Sequence, residues 1–179
     1  MMDPVVVTTI RAALAILFAA AASHKLRAPA HFVATVRNYR LMPPMLTPAV
    51  AALLVSAEVV VAAFLATGTA RPVGAIAAAA LLAVYAAAIA ANLARGRQHI
   101  DCGCTAPGAA RTIHGGLVVR NGALVLVALA LLGPEAERPL GWLDVTTIAA
   151  AVAALVALYA ALDRLLANAP AIARLRGVT

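Results

Sequence analysis

The chain has 179 residues, 64% of them hydrophobic and only 12% charged, with a mean hydropathy of +0.96. That balance excludes a water-soluble domain of this size and marks an integral membrane protein. The net charge of +7 does not point to nucleic acid, because the apolar spans leave no room for a separate basic domain; the arginines read as topology determinants and headgroup contacts.

A membrane-crossing helix needs roughly 20 mostly apolar residues. Five segments qualify, at about 4–23, 48–67, 72–93, 113–132 and 142–162. Backbone groups in hydrocarbon must be satisfied internally, so helix is the expected state of each. Apolar content rests on Ala, Val and Leu, which favours close packing through small side chains. The first span could pass for a secretory leader, but no basic residue precedes it and Asp3 is acidic, so a retained helix is expected. Residues 30–41 alternate Phe32, Val33, Val36 and Tyr39 with Arg37 and Arg40, a spacing that predicts a short helix lying in the headgroup region and ending at Pro43 and Pro44. Trp142 reads as a headgroup anchor, and Tyr85 and Tyr159 as packing residues. The chain shows no internal repeat, and residues 1–179 are expected to form a single multi-pass domain.

Glu58 stands near the middle of the second span among Val55, Val59, Val60 and Val61. A charge at that depth costs about 2.5–3.5 kcal/mol on insertion scales unless it is paired or protonated. Arg11 and Arg120 are the intramembrane cations available, and a Glu58–Arg120 pair with Asn92 and Asn121 nearby is the expected arrangement. Such a pair would fix helix register, relay protons or form the polar wall of a quinone pocket.

The loop between the third and fourth spans holds both cysteines of the chain, in Asp101-Cys102-Gly103-Cys104. Two thiols one glycine apart predict an accessible redox pair, since a bond between them would be strained and readily exchanged. Arg95, Arg97 and Arg111 would favour the thiolate, and Asp101 would oppose them. A second reading gathers His99, Cys102, Cys104 and His114 around zinc or copper(I), although the spacing matches no standard zinc pattern.

Basic residues outside the spans divide ten to two between the faces. Lys25, Arg27, Arg37, Arg40, Arg95, Arg97, Arg111, Arg164, Arg174 and Arg176 share the face of the cysteine loop, against Arg71 and Arg138 opposite. The positive-inside rule then puts the cysteine loop in the cytoplasm.

Taken together, His24-Lys25-Leu26, His31-Phe32, Asn38-Tyr39-Arg40-Leu41-Met42-Pro43, Glu58, the run from Asn92 to Arg97, the cysteine motif and Arg120-Asn121 resemble the MauE branch of the DoxX-like membrane proteins. The likeness runs from about residue 10 to 132. It implies an all-α integral membrane protein: a DoxX-like four-helix transmembrane bundle, here with a fifth C-terminal transmembrane helix and the short interfacial helix. It also implies a role in methylamine utilisation, in maturing the disulfide-rich small subunit of methylamine dehydrogenase, with the cysteines facing the periplasm of a bacterial-type inner membrane. The related vitamin K epoxide reductase type is quinone-linked, which makes a quinone the cofactor class to consider. This chain differs from that type in having Cys-x-Cys and no second cysteine pair. On the resemblance, Cys102 and Cys104 take the redox role, with Glu58 and Arg120 as the intramembrane polar pair. The partner is a thioredoxin-like protein or a disulfide-bearing client. The alternatives are a non-catalytic assembly factor that docks a partner and a small-solute or metal transporter that would require an oligomer.

Overall fold

The computed structural model describes residues 1–102 and 112–175, the stretch 166–175 as backbone only. Gly103, Cys104, Arg111 and Arg176 lie outside the described residues, as do the side chain of Arg174 and any role assigned to it. The described secondary structure is six α-helices and one 3-10 turn, with two isolated bridge pairs and no strand.

α1 (Pro4–Arg27) opens on Asp3, whose carboxylate accepts the Val5 N–H at 2.8 Å, with proline where a missing N–H is harmless. It continues past residue 23, where the apolar run stops, because His24, Lys25 and Arg27 suit the negative end of a helix. Pro29 then forces Ala28 out of helical geometry (φ −141°, ψ 63°) and itself starts α2 (Pro29–Asn38). α2 stops short of the expected residue 41, because Arg40 turns left-handed (φ 48°) before the prolines are reached. A 3-10 turn (Pro44–Leu46) leads into α3 (Thr47–Thr67), and α4 (Arg71–Ala94) follows. α5 (Gly115–Ala130) is 16 residues long, about 24 Å at the helical rise and short of a hydrocarbon core of about 30 Å. It starts later than residue 113 because the Ile113 N–H is taken by the Ile100 carbonyl at 3.0 Å. α6 (Trp142–Leu175) has 34 residues and runs well beyond residue 162. Four segments, Pro4–Arg27, Pro44–Thr67, Arg71–Ala94 and Trp142–Leu165, are long and apolar enough to cross a membrane.

α1 lies along α3 on one side and α6 on the other, while α4 packs on α5 and against α3. The seams are built from small groups: Ala75, Ala78 and Ala79 of α4 are buried with Val61 and Leu65 of α3 and Leu14 and Phe18 of α1. A Cβ on Gly74 would stand 3.2 Å from the Phe64 Cβ, so α3 and α4 approach closely there.

α3 ends at Gly68 (φ 71°), whose N–H is bound by the Phe64 carbonyl. The Arg11 guanidinium covers this end, with Nε donating to the Leu65 carbonyl at 3.1 Å. A Cβ at Gly68 would fall 2.3 Å from that guanidinium. Gly68→Ala should therefore destabilise by about 1–2 kcal/mol through backbone strain and loss of the Arg11 cap, read as a lower thermal midpoint in detergent.

Helix direction alternates so that the N-terminus, residues 68–70 and residues 131–141 share one end, and residues 28–46, 95–102 and 112–114 share the other. The first end is tied by the backbone: the Met2 N–H donates to the Pro134 carbonyl at 2.7 Å and the Ala136 N–H to the Met2 carbonyl at 2.9 Å. Arg138 bridges Asp3 at 3.0 Å and Asp144 at 2.8 Å. Hydrogen bonds from Arg138 and from the Val5 N–H hold Asp3 below its usual range. Because the folded pKa of Asp3 is depressed, its share of the tie is present above the usual aspartate range and is lost as pH falls below it. Arg138→Gln should accordingly lower the thermal midpoint at neutral pH, with the gap to the parent narrowing as pH falls below the usual aspartate range.

Candidate functional site

Glu58 is completely buried in α3, and its partner is Lys25 of α1, itself 4% exposed. Leu14, Phe18, Ala22 and Lys25 follow one another at spacings of four, four and three residues, so the lysine falls on the buried stripe of α1. Lys25 Nζ donates to Glu58 Oε1 and, at 3.2 Å, to the Tyr85 hydroxyl; that hydroxyl donates to the same Oε1 at 2.7 Å. The ammonium also stands 4.7 Å from the Phe32 ring centroid and 4.8 Å from that of Tyr85. Four helices thus deliver one group each to a buried charge cluster. Opposite charges, a second donor and two aromatic faces offset the desolvation that either ion alone would suffer.

The expected Glu58–Arg120 pair is not formed. Arg120 donates to Asp163 of α6 at 2.6 Å and stacks 5.5 Å from the Tyr159 ring. Packing explains the difference: α5 lies on α4, whereas α1 runs alongside α3 and carries Lys25 to the depth of Glu58. Arg11, the other cation considered, covers the end of α3 instead. Asn92 and Asn121 are buried, but Asn92 serves the loop below, accepting from Arg97 at 3.1 Å. Tyr85, expected only to pack, is part of the cluster, and Lys25, counted as a topology charge, is its cation.

Beside the cluster lies a cavity of about 140 Å³. Lys25 and Tyr85 form one part of its wall, Phe32, Thr35 and Val36 of α2 with Tyr39, Leu41 and Met42 just after it another, and Val50, Leu54, Val84, Ala88 and Ile89 of α3 and α4 a third. Cys102 also lines it. The half-buried cysteine is brought there by its neighbours, since Ile100 and Ile113 are buried with Tyr39, Ile89 and Leu117. The Tyr39 hydroxyl donates to the Cys102 carbonyl at 3.4 Å, and His31 Nε2 lies 3.3 Å from Asp101 Oδ2.

Arg97 fixes the same corner. Its guanidinium donates to the carbonyls of Asn38 at 2.8 Å and Tyr39 at 3.2 Å, and to Asn92 Oδ1. Arg95 reaches the Arg40 carbonyl at 3.5 Å. Both arginines, expected to favour the thiolate, fasten the end of α2 to the end of α4. His99 is exposed and His114 caps α5; with Cys104 outside the described residues, no group of three metal-ligating side chains is gathered among those described.

One apolar cavity is thus lined both by Cys102 and by the Lys25 and Tyr85 members of the buried charge cluster. The sequence profile described as "Methylamine utilisation protein MauE" matches residues 3–134, which cover α1 to α5. "Methylamine utilization protein MauE" of Paracoccus denitrificans is 45% identical over 131 residues, 73% of this chain and 69% of that protein. The protein of the same name from Paracoccus versutus is 42% identical over 159 residues, 88% of this chain and 85% of its own. That of Methylorubrum extorquens is 40% identical over 129 residues, 72% of this chain and 69% of its own. No solved structure matches the chain.

Proposed function

Because the chain belongs to the MauE family, we propose that it serves methylamine utilisation as a membrane-embedded thiol–disulfide exchange factor acting through Cys102 and Cys104. The observation that carries this reading is the placement of Cys102 in the wall of the cavity that Lys25 and Tyr85 also line.

One cysteine thiolate attacks a client disulfide to form a mixed disulfide; the other cysteine then displaces the client. The chain is left with a Cys102–Cys104 bond and the client with two thiols, two electrons and two protons having passed to it. The reverse sequence oxidises a client dithiol. Lys25 and Tyr85 at the cavity wall, with Glu58 behind them, hold and return a proton, and Arg120, paired with Asp163, ties α5 to α6. In this reading α1, α3, α4 and α5 form the DoxX-like four-helix bundle and α6 is an added outer helix. The charge count puts the cysteine loop in the cytoplasm, which makes a thioredoxin-like protein the natural partner; reporter fusions at residue 105 and after α6 test that sidedness.

Thiol alkylation of native membranes tests the chemistry. The pair should be resistant before reduction and reactive after it, and a Cys104→Ser or Cys102→Ser chain should accumulate a mixed disulfide with its client. If both sulfurs react equally with and without reductant, and the double serine variant supports growth on methylamine like the parent, the exchange reading fails. The assembly-factor reading then takes its place.

A further inference from the structure

We propose that the cavity beside Lys25 holds one acyl tail of an anionic phospholipid, whose phosphate is bound at the rim by Arg40 and Arg95. The proposal does not depend on the exchange reading, and its test involves no thiol chemistry.

Position selects a tail. Leu41 and Met42 line the cavity just after α2, Leu54 stands seven residues into α3, and Val84 stands ten residues before the end of α4. At the helical rise, Leu54 and Val84 are about 11 and 15 Å from those helix ends, below the headgroup level, where a lipid has only hydrocarbon to offer. Leu41 and Val84 are 39% and 53% exposed, so the cavity opens on the bilayer. Its volume of about 140 Å³ is close to the roughly 150 Å³ of an apolar cavity that takes benzene, which leaves room for a tail segment of about six carbons. The rest of the tail continues into the membrane.

The wall recognises hydrocarbon and little else. Its polar side chains commit their polar atoms to the protein: Lys25 and Tyr85 to Glu58, Thr35 to the His31 carbonyl at 3.1 Å, and Tyr39 to the Cys102 carbonyl. A polar solute would lose its water there without regaining partners. A tail recovers the dispersion contacts that an empty cavity forfeits.

Charge places the headgroup. Arg40 stands between Tyr39 and Leu41, both in the wall, and Arg95 reaches the Arg40 carbonyl at 3.5 Å, so two exposed arginines flank the rim. Three carboxylates lie toward this end, and each is already beside a basic side chain: Glu58 at Lys25, Asp101 at His31 and Asp163 at Arg120. The other four, Asp3, Glu135, Glu137 and Asp144, belong to the opposite end. The rim is therefore electropositive, which draws an anionic lipid ahead of a zwitterionic one. A guanidinium suits the phosphate, because its paired N–H donors match two phosphate oxygens.

The test uses the full-length parent chain in nanodiscs of equal parts dioleoylphosphatidylglycerol and dioleoylphosphatidylcholine. Native mass spectrometry of the ejected chain reads which lipid stays bound. The two lipids share tails and phosphate, and choline cancels the charge of the second. The chain should retain one phosphatidylglycerol in about thirtyfold preference, the pull of two basic residues near lipid. Arg40→Gln with Arg95→Gln should bring that preference close to parity; both side chains are exposed, so the core is left intact.

Leu54→Phe and Ala88→Phe fill the cavity from α3 and α4 and should each abolish retention; using both guards against one failing to fold. Glycerol 3-phosphate, which has the charge and no tail, should leave no adduct on the parent chain in phosphatidylcholine discs. The proposal is overturned if the parent retains no lipid or retains the two lipids equally. It is equally overturned if retention survives in the filled variants, which would mark a headgroup patch without a tail site, or if glycerol 3-phosphate binds, which would mark a free-phosphate site.

Discussion

Lys25→Met should lower the stability of the protein by about 3–5 kcal/mol, because it leaves the Glu58 carboxylate buried without its cation. Few substitutions at a helix end would have such an effect, and the reason is burial: the two side chains are 3% and 1% exposed. Tyr85 can still donate to Oε1, but one neutral hydroxyl does not replace an ammonium. Glu58→Gln should cost less, since the amide oxygen still accepts from Lys25 and Tyr85. The double variant Lys25→Met with Glu58→Gln should recover most of the loss, because neither buried ion remains. Thermal unfolding of the four proteins in one detergent closes the cycle. Additive losses would show that the two residues are not coupled. Glu58→Gln also separates structure from chemistry: the variant should assemble normally while its Cys102 exchange slows, if the carboxylate moves protons.

The second large effect is expected at Arg97. Arg97→Met removes hydrogen bonds to the carbonyls of Asn38 and Tyr39 and to Asn92, and should cost about 2 kcal/mol. More telling than the global loss is where it falls. α2 supplies Phe32, Thr35 and Val36 to the cavity wall and its C-cap supplies Tyr39, which also reaches the Cys102 carbonyl. Release of its C-terminal end should open this wall and speed maleimide labelling of Cys102, by about tenfold if that local closure contributes as little as 1.4 kcal/mol. Arg97→Lys should rescue only partly, because a single ammonium cannot span the three acceptors that the planar guanidinium holds. Unchanged labelling in Arg97→Met would detach the arginine from control of the site.

The spans were legible because the requirement for apolar length is local, and α1, α3, α4 and α6 all begin within a residue or so of the hydropathy edges. Their far ends were harder to read. α1 outruns its apolar segment by one turn, and that turn carries Lys25 into the interior. Glu58 stood out as a charge in an apolar run, but its partner depends on which helices touch, and no periodicity records that. The one signal for Lys25 was its position on the Leu14–Phe18–Ala22 stripe, which charge counting overrode. Arg97 and the His31–Asp101 contact escaped for a related reason: they join segments 58 or more residues apart through side chains that look solvated in sequence.

One hydrogen bond in the cysteine region has a practical consequence. The Ile113 N–H meets the Ile100 carbonyl, and both isoleucines are buried, so the stretch after α4 and the stretch before α5 are pinned to each other. At this end α4 and α5 are thus spaced by a backbone bond as well as by the side chains of Ile89 and Leu117.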